Sequence, residues 1–255
     1  MFSRPLVPYV LTAALRDRLV ISSLALVAIV ASLAVFIGSS AVMEKSAFAV
    51  VFAAGALRVT GVAALVLFVV FYMRRAFDTK DVEYLLARPV SRLSFLLSHG
   101  AAFSLVAVLM TLIVVIAVGL LLPQGADISA LILWGAGVMV EFVIAVNVAL
   151  FFSMVLTSAV GGVLASAGLY VLARLMGELL GILATAEPLP GYAFLAGVMK
   201  MISLVVPRLD LLAQTSWLIY GAGNDVGYSF IFAQGALYTA LLLAASYIDL
   251  RRRQF

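Results

Sequence analysis

The chain alternates between long runs of apolar residues and short clusters of charged residues, and this pattern divides it into segments of membrane-spanning length. An α-helix needs roughly 20 mostly apolar residues to cross the roughly 30 Å hydrocarbon core of a bilayer. We predict spans at residues 19–38, 48–73, 95–122, 128–156, 160–184 and 226–250. The chain is therefore predicted to be an all-α polytopic membrane protein with six transmembrane helices.

The segment before the first predicted span, residues 1–18, mixes apolar residues with Arg4, Arg16, Asp17 and Arg18. A mixed segment next to a span is typical of an amphipathic helix in the membrane interface, and we predict such a helix here. A signal peptide is the competing interpretation. It is disfavoured because no small-residue cleavage site convincingly follows the apolar run.

An outer segment, residues 187–225, separates the fifth and sixth predicted spans. Its apolar part, Tyr192 to Val206, has 15 residues, contains Lys200 and ends before Pro207. Because this run is short for a span, we predict a re-entrant or interfacial helix rather than a seventh crossing.

The distribution of basic residues predicts the orientation. The loop from Arg74 to Ser94 holds five basic and three acidic residues, and the last predicted span is followed by three arginines, 251–253. The positive-inside rule places both regions in the cytoplasm, and four spans between them satisfy that requirement. We therefore predict a multi-pass protein of the inner (cytoplasmic) membrane with both termini in the cytoplasm.

The interior of this charged loop has a helical pattern over residues 77–88. Asp78 is suited to cap a helix start, and the apolar residues that follow recur at helical spacing. Pro89 disfavours the helical conformation of the residue before it, so the helix should end near Arg88. Ser91 is placed to cap the next helix, which enters the membrane.

Composition excludes several classes of function. Apolar residues make up 65% of the chain and charged residues 11%, far from the proportions of soluble proteins. There is no cysteine, and His99 is the single histidine, so thiol chemistry and histidine-based metal or triad chemistry are disfavoured. No P-loop or hydrolase motif occurs, and we predict a non-enzymatic chain without a cofactor of its own. The net charge of +4 reflects the positive-inside bias and does not indicate nucleic-acid binding.

Polar residues inside the predicted spans are candidate functional residues, because polar groups in a bilayer are costly and rare. The candidates for a translocation path or an intramembrane ion pair are Arg58, Glu141, Asn147, Arg174 and Glu178. Arg174 and Glu178 are four residues apart, which predicts an ion pair within the fifth span. The alternative is that they face a translocation path, with Glu141 as a third member.

Arg58 is the basic residue of the second span. It precedes Arg74 by roughly 24 Å of helix, which places it near the outer headgroups or slightly below them. The simple interpretation is an arginine whose long side chain reaches the headgroups. Binding of an anionic substrate or lipid is the alternative.

The run FDTKDVEYLLARPVSRLSFLLSHG, residues 77–100, resembles the cytoplasmic loop of ABC-2 type permeases, the membrane subunits of one class of ABC transporter. That family has a short acidic helix, two leucines with a small residue, an Arg-Pro pair, and Ser and Arg at the start of the third span. The matching residues here are Asp81, Glu83, Leu85, Leu86, Ala87, Arg88, Pro89, Ser91 and Arg92. The PRLDLL run, residues 207–212, is a weaker match to the small six-span NosY-like or gliding-type permeases.

This resemblance implies that residues 77–88 form a coupling helix that contacts a separate ATPase subunit. The implied contact residues are Asp78, Lys80, Asp81, Glu83, Tyr84, Leu85, Arg88 and Pro89. It further implies a permease that mostly exports its cargo, two ATPase copies that bind ATP and Mg, and a second permease copy as a homodimer. An extracytoplasmic accessory protein is a further possible partner.

Two other function classes stay open. An ion-driven secondary transporter normally shows internal repeats and helices broken at the midplane, and no convincing repeat relates the two halves of this chain. A non-transporting membrane assembly factor would need another explanation for the ionisable residues within the spans.

Overall fold

A computed structural model describes residues 6–16, 19–39, 45–79, 91–123, 125–185, 192–221 and 226–252. All regular elements in these residues are helical. In chain order they are α1 (Leu6–Arg16), α2 (Leu19–Ser39), α3 (Lys45–Asp78), α4 (Arg92–Leu121), α5 (Ile128–Val155), α6 (Ala159–Thr185), α7 (Tyr192–Val205), a 3-10 helix (Leu209–Leu211), α8 (Trp217–Tyr220) and α9 (Tyr228–Arg252).

Six of these helices, α2 to α6 and α9, are long and apolar enough to cross a membrane. The chain is thus a multi-pass α-helical membrane protein, as the apolar runs predicted. Helix α7 has 14 residues, roughly 21 Å, so it is too short to cross the hydrocarbon core. The helix bounds agree with the predicted spans to within a few residues, and α3 shows the largest difference.

Helix α3 runs to Asp78, five residues beyond the predicted end of the second span. Arg74 Nη2 lies 3.3 Å from Asp78 Oδ1 within its last turn, and such a pair four residues apart stabilises a helix. The prediction that Asp78 starts a separate helix is therefore wrong, because Phe77 and Asp78 complete α3. The rest of the predicted coupling helix, with Lys80, Asp81, Glu83, Tyr84, Leu85, Arg88 and Pro89, lies outside the described residues.

The predicted helix cap at Ser91 is confirmed, and a second cap is observed at Asp127. Ser91 caps α4, since its side chain accepts a hydrogen bond of 3.1 Å from the Ser94 N–H. Asp127 caps α5, and its Oδ1 accepts a 2.8 Å hydrogen bond from the Ser129 N–H. The hydrogen bonds from Ser129 also lower the pKa of the Asp127 carboxyl below its ordinary value.

Helix α5 is the centre of the bundle and packs against α3, α4, α6 and α9. Its side chains Trp134, Phe142, Ile144 and Leu150 are buried. Helix α2 packs on α3, while α1 packs across α4 and α2. The outer faces of the peripheral helices expose large apolar side chains, as helices surrounded by lipid do.

The first turn of α4 is joined to the last turn of α9. Arg92 Nη1 donates hydrogen bonds to the carbonyl oxygens of Leu250, at 2.9 Å, and Arg251, at 3.1 Å. The start of α4 and the end of α9 therefore lie at the same end of the bundle. That placement agrees with four crossings between them, by α4, α5, α6 and α9.

An aromatic cluster joins α3 to α4 in the half of the bundle next to the charged loop. The His99 ring lies 4.3 Å from the Phe95 ring, and Tyr72 of α3 contacts both His99 and Phe103. The Nδ1 atom of His99 lies 2.9 Å from the Phe95 carbonyl oxygen, so the ring is held within α4. The two helices that flank the charged loop are thus packed together.

Candidate functional site

A charge cluster formed by Arg58, Glu141, Tyr170 and Arg174 is buried between α3, α5 and α6. Glu141 is completely buried, and its Oε1 accepts a 2.7 Å hydrogen bond from Tyr170 Oη. Arg58 Nε lies 3.8 Å from the same oxygen, and Arg174 Nη1 lies 3.6 Å from Oε2. Two spanning helices, α3 and α6, thus direct a guanidinium group toward one buried carboxylate on a third, α5.

The charges of this cluster do not balance. Two guanidinium groups face one carboxylate, which leaves one excess positive charge when all three groups are ionised. A buried charge is tolerated when it is paired and its remaining hydrogen-bonding groups are satisfied. The two arginines must therefore find acceptors besides Glu141.

Those acceptors are backbone carbonyls of residues 206–221, which we call the cap segment. Arg58 Nη1 donates a 2.5 Å hydrogen bond to the Ala213 carbonyl oxygen. Arg174 Nη1 donates hydrogen bonds of 2.5 Å to Leu209 O and 2.8 Å to Leu212 O. The guanidinium groups thereby donate charge-assisted hydrogen bonds to backbone carbonyls in and just after the 3-10 helix.

Two glycines allow the cap segment to approach the bundle. A Cβ at Gly137, one turn before Glu141, would lie 2.6 Å from the Ala213 backbone nitrogen. A Cβ at Gly177 would lie 2.5 Å from Asp210 Oδ2. Ala213 itself is fully buried at φ 48°, a left-handed conformation that non-glycine residues seldom adopt. The cap segment is thus seated directly on the backbones of α5 and α6.

Further contacts hold both sides of the cap segment. Arg208 makes two hydrogen bonds to the Asp210 carboxylate, of 2.9 and 2.8 Å. This carboxylate raises the pKa of the Arg208 guanidinium above its ordinary value. Tyr238 Oη on α9 donates to Val206 O at 3.1 Å and to Leu204 O at 3.3 Å. The segment is therefore attached to α3, α6 and α9 at the same time.

The predicted ion pair between Arg174 and Glu178 is not formed. Arg174 contacts Glu141 on the neighbouring helix instead, while Glu178 is exposed. The prediction was wrong because a spacing of four residues allows a contact without requiring it. A buried carboxylate and two carbonyl oxygens offer the guanidinium more acceptors than one exposed carboxylate does.

Two further candidate residues, Arg58 and Asn147, have different surroundings. Arg58 does not reach toward headgroups, because its side chain is buried against Ala213 and Glu141. Asn147 lies outside the charge cluster, and its Nδ2 donates to Val143 O at 2.8 Å and to Ser104 Oγ at 3.2 Å. Asn147 thus joins α5 to α4 rather than taking part in the cluster.

Sequence reasoning missed Tyr170, Gly137 and Gly177. Tyr170 precedes Arg174 by four residues, and Gly137 precedes Glu141 by four, so each lies one helical turn from a charged residue. This one-turn spacing is the signal that could have identified them. The carbonyl acceptors of the cap segment leave no comparable mark in the amino-acid sequence.

The cluster joins three spanning helices to the cap segment. Its hydrogen bonds join Arg58 to the Ala213 carbonyl, Tyr170 to Glu141 Oε1, and Arg174 to the carbonyls of Leu209 and Leu212. Arg58 Nε and Glu141 Oε2 are buried without a hydrogen-bond partner and face opposite charges at 3.8 and 3.6 Å. In the described residues, no group of three or more His, Cys, Asp or Glu side chains is placed to hold a metal ion. Through its two arginines, the cluster attaches the cap segment to α3 and α6.

Comparison with known proteins finds no protein-family model that matches the chain and no curated protein that matches it. The function is therefore argued from the charged loop, the charge cluster and the cap segment.

Proposed function

We propose that this chain is the membrane-spanning permease subunit of an ABC-2 type transporter, which forms the translocation path and works with a separate ATPase. The observation that carries the proposal is the acidic, Leu-Leu-Ala-Arg-Pro pattern of residues 81–89 between two long spanning helices. The absence of a nucleotide-binding motif from the sequence makes an outside source of energy necessary for uphill transport.

The structure offers a mechanical connection that suits this role. Helix α3 is continuous from Lys45 to Asp78, so Arg58 and Asp78 are 20 residues, or roughly 30 Å, apart on one rigid element. A displacement of the charged loop at Asp78 is passed along α3 to Arg58. Because Arg58 contacts Glu141 and the Ala213 carbonyl, the displacement reaches the cap segment directly.

A second connection runs from the start of α4 along α9. Arg92, near the end of the charged loop, donates to the carbonyls of Leu250 and Arg251 in the last turn of α9. Tyr238 of α9 in turn donates to Val206 at the start of the cap segment. Both ends of the charged loop are therefore connected to the cap segment.

In this proposal the charge cluster holds the cap segment against the bundle in the closed state. Two arginines with three carbonyl acceptors form a discrete contact that breaks as a unit, which is what a gate requires. The cap segment lies on the extracytoplasmic side, and the charged loop and both termini lie in the cytoplasm.

The proposed transporter is an exporter in the inner membrane. Two permease copies surround one path and two ATPase copies bind ATP and Mg, so this chain needs no cofactor. Lipid surrounds the exposed apolar faces, and an extracytoplasmic accessory protein is compatible with the cap segment.

The test is purification of the tagged chain from the membranes of its native host, followed by mass spectrometry and an ATP hydrolysis assay. A P-loop ATPase should be recovered with the wild type and lost with Glu83→Arg or Leu85→Asp. Lys45→Glu is the matched control, because Lys45 is exposed at the opposite end of α3 and its reversal should keep the ATPase bound.

Recovery of no ATPase, or equal recovery with all variants, would reject the proposal. The second candidate is an ion-driven secondary transporter, favoured by the completely buried carboxylate of Glu141. It predicts that Glu141→Gln abolishes transport by purified chain in vesicles that contain an ion gradient and no ATP.

A further inference from the structure

The charge cluster holds an excess of positive charge. Arginine stays protonated in proteins, so Arg58 and Arg174 carry two positive charges, whereas Glu141 supplies at most one negative charge. Asp210 of the cap segment also acts electrostatically on Arg174, but its carboxylate is paired with Arg208 through two hydrogen bonds. In the described residues, at least one positive charge of the cluster is therefore not balanced by a carboxylate.

Backbone carbonyls occupy the place that an anion would take beside these arginines. Arg58 donates to Ala213 O, and Arg174 donates to Leu209 O and Leu212 O. A carbonyl oxygen carries only part of a negative charge, so these contacts satisfy hydrogen bonds without neutralising the guanidinium groups. A phosphate group would supply a full negative charge and several oxygen acceptors in the geometry that a guanidinium group prefers.

Arg58 has a donor that is not used in a hydrogen bond. Its Nε atom is buried and makes no hydrogen bond within the described part of the chain. It lies 3.8 Å from Glu141 Oε1, beyond hydrogen-bond distance, and this oxygen already accepts from Tyr170. Because a guanidinium group binds a phosphate through two parallel N–H groups, Arg58 has more capacity for an anion than the Ala213 carbonyl uses.

The contact with Arg58 holds Ala213 in an unfavourable backbone conformation. Ala213 has a φ of 48°, in the left-handed region, although it carries a Cβ. Such a conformation raises the energy of the closed cap segment, and the strain is relieved when the segment leaves the cluster. Replacement of the carbonyl acceptors by an anion is therefore favoured by the release of Ala213.

The cap segment and a phosphate group cannot occupy the cluster together. Beside Tyr170, the space between α5, α6 and the cap segment is a cavity of about 10 Å³, lined in part by Ala173, Pro207 and Leu209. A cavity of this size holds roughly one water molecule and excludes a phosphate group. Room for a phosphate arises only when residues 207–213 move away, so its binding and the closed cap segment exclude each other.

Arg174 is the member of the cluster that an incoming anion meets first. Its side chain is 21% exposed, compared with 10% for Arg58 and none for Glu141. A ligand that enters beside Arg174 replaces the carbonyls of Leu209 and Leu212 and reaches Arg58 afterwards.

We propose that Arg58 and Arg174 form a binding site for a phosphate group, which the cap segment occupies in the closed state. The phosphate belongs to a lipid headgroup or to a free phosphate compound, and both present the same kind of oxygen acceptors. Because a ligand that binds only the open form shifts the population toward it, phosphate binding opens the cap segment. The proposal rests on the proposed function for its meaning in transport, where it makes a phosphate-bearing molecule the class of cargo.

A phosphate with one negative charge fits the cluster better than a neutral or cationic group. A cation is repelled by the excess positive charge, and a neutral group leaves that charge unbalanced. One negative charge, as on a phosphodiester, balances the cluster when Glu141 is ionised. The expected ligand is therefore anionic overall, rather than zwitterionic with a neighbouring cation that cancels the charge.

Hydrogen exchange of the purified chain in a neutral detergent tests this competition. Dihexanoyl phosphatidylglycerol is the anionic lipid probe, dihexanoyl phosphatidylcholine is its zwitterionic control with the same acyl chains, and inorganic phosphate is the free anion. Peptides covering residues 206–221 should exchange severalfold faster with phosphatidylglycerol, increasingly so with its concentration, and change little with phosphatidylcholine. Equal acceleration by inorganic phosphate would assign the site to a free phosphate compound, and acceleration by phosphatidylglycerol alone to a lipid headgroup.

Direct binding of phosphatidylglycerol, measured by native mass spectrometry, gives a second test. Because the two equilibria are linked, a change that displaces the cap segment should strengthen phosphate binding. Gly137→Ala pushes the segment away from α5, so this variant should bind phosphatidylglycerol severalfold more tightly than the wild type. Gly181→Ala adds a Cβ in open space and should bind like the wild type.

Two charge variants locate the site. Arg174→Gln should lose most of the phosphatidylglycerol binding, whereas Lys200→Gln, which removes an exposed cation on α7, should keep it. Equal loss in both variants, slower exchange with phosphatidylglycerol, or no response to either anion beyond that to phosphatidylcholine would overturn the proposal. These measurements involve neither an ATPase nor transport, so a failure here is distinguishable from a failure of the proposed function.

Discussion

Arg174 Nη1 lies 3.6 Å from Glu141 Oε2 and pairs with this carboxylate on the neighbouring helix, although Glu178 lies one turn away on its own helix. The contact joins α5 to α6 and leaves Glu178 on the exposed face. A pair within one helix would stabilise only that helix. The observed pair fixes the packing of two helices and, through the same guanidinium, the position of the cap segment.

The first prediction concerns the order of stability among variants of the charge cluster. Glu141→Gln leaves two guanidinium groups buried without an anion, and breaking a buried ion pair from one side costs roughly 3–5 kcal/mol. Arg174→Met leaves Glu141 paired with Arg58 and removes the excess positive charge, while the carbonyls of Leu209 and Leu212 lose one donor. Because no unneutralised buried charge results, we expect a smaller loss of stability than for Glu141→Gln. Thermal unfolding of the purified protein in detergent measures both losses.

Two further variants control this experiment. Arg174→Met combined with Glu141→Gln should be more stable than Glu141→Gln alone, since one of the two unneutralised cations is gone. Glu178→Gln alters an exposed carboxylate and should lose much less stability than Glu141→Gln. Equal losses for Glu178→Gln and Glu141→Gln would contradict the assignment of Glu141 as the centre of the cluster.

The cluster shows why sequence reasoning succeeded for the spans and failed for the site. Each span is a local run of apolar residues, and the caps Ser91 and Asp127 act on residues two or three positions away. The cluster joins Arg58 to Glu141, 83 residues later, and to Arg174, a further 33. These contacts depend on how three helices are rotated, which apolar periodicity leaves undetermined when a helix is apolar on every side.

The second prediction concerns Gly137, which lies against the cap segment. Gly137→Ala places a Cβ 2.6 Å from the Ala213 backbone nitrogen, so the cap segment must move away. Overpacking of this kind typically costs about 1–3 kcal/mol, and the displaced segment should be cleaved faster by protease. Thermal unfolding and limited proteolysis in detergent measure the two effects.

Gly181 provides the matched control for this substitution. It lies in α6, and a Cβ there meets no atom within 4 Å. Gly181→Ala should therefore stabilise the protein by up to about 1 kcal/mol, because alanine favours the helix over glycine. If Gly137→Ala also stabilises the protein, the cap segment does not lie as close to Gly137 as the structure shows.

The cap segment also illustrates a limit of reading a sequence by composition. The short apolar run of α7 and the proline after it correctly predicted a helix shorter than a membrane span. The same features said nothing of where residues 209–213 would lie. Their contacts are made by backbone carbonyls, which every residue possesses, so no residue type identifies them.

The third prediction concerns Arg92, which ties α4 to α9. Arg92→Ala removes two charge-assisted hydrogen bonds to the carbonyls of Leu250 and Arg251. The last turn of α9 should open more readily, and its amide hydrogens should exchange about tenfold faster or more, as expected for bonds of this strength. Hydrogen exchange measured by mass spectrometry on peptides covering residues 246–252 tests this expectation.

Arg251→Ala is the appropriate control for Arg92→Ala. It removes a neighbouring guanidinium, which lies 5.9 Å from the Tyr247 ring centre, but keeps the backbone carbonyl that Arg92 contacts. Exchange in the last turn of α9 should then change little. Similarly faster amide exchange in both variants would show that the last turn of α9 is stabilised by net charge rather than by the Arg92 hydrogen bonds.

The last prediction concerns the two sides of the membrane. The proposed orientation places Ser216 of the cap segment outside the cell and Arg252 at the end of α9 inside, and both residues are exposed. Ser216→Cys should react with an impermeant thiol reagent added to intact cells, while Arg252→Cys should react only after the membrane is permeabilised. The chain has no cysteine of its own, so each variant carries a single reactive site. Labelling of Arg252→Cys in intact cells would place the end of α9 and its arginines outside, against the positive-inside rule, and would contradict the proposed orientation.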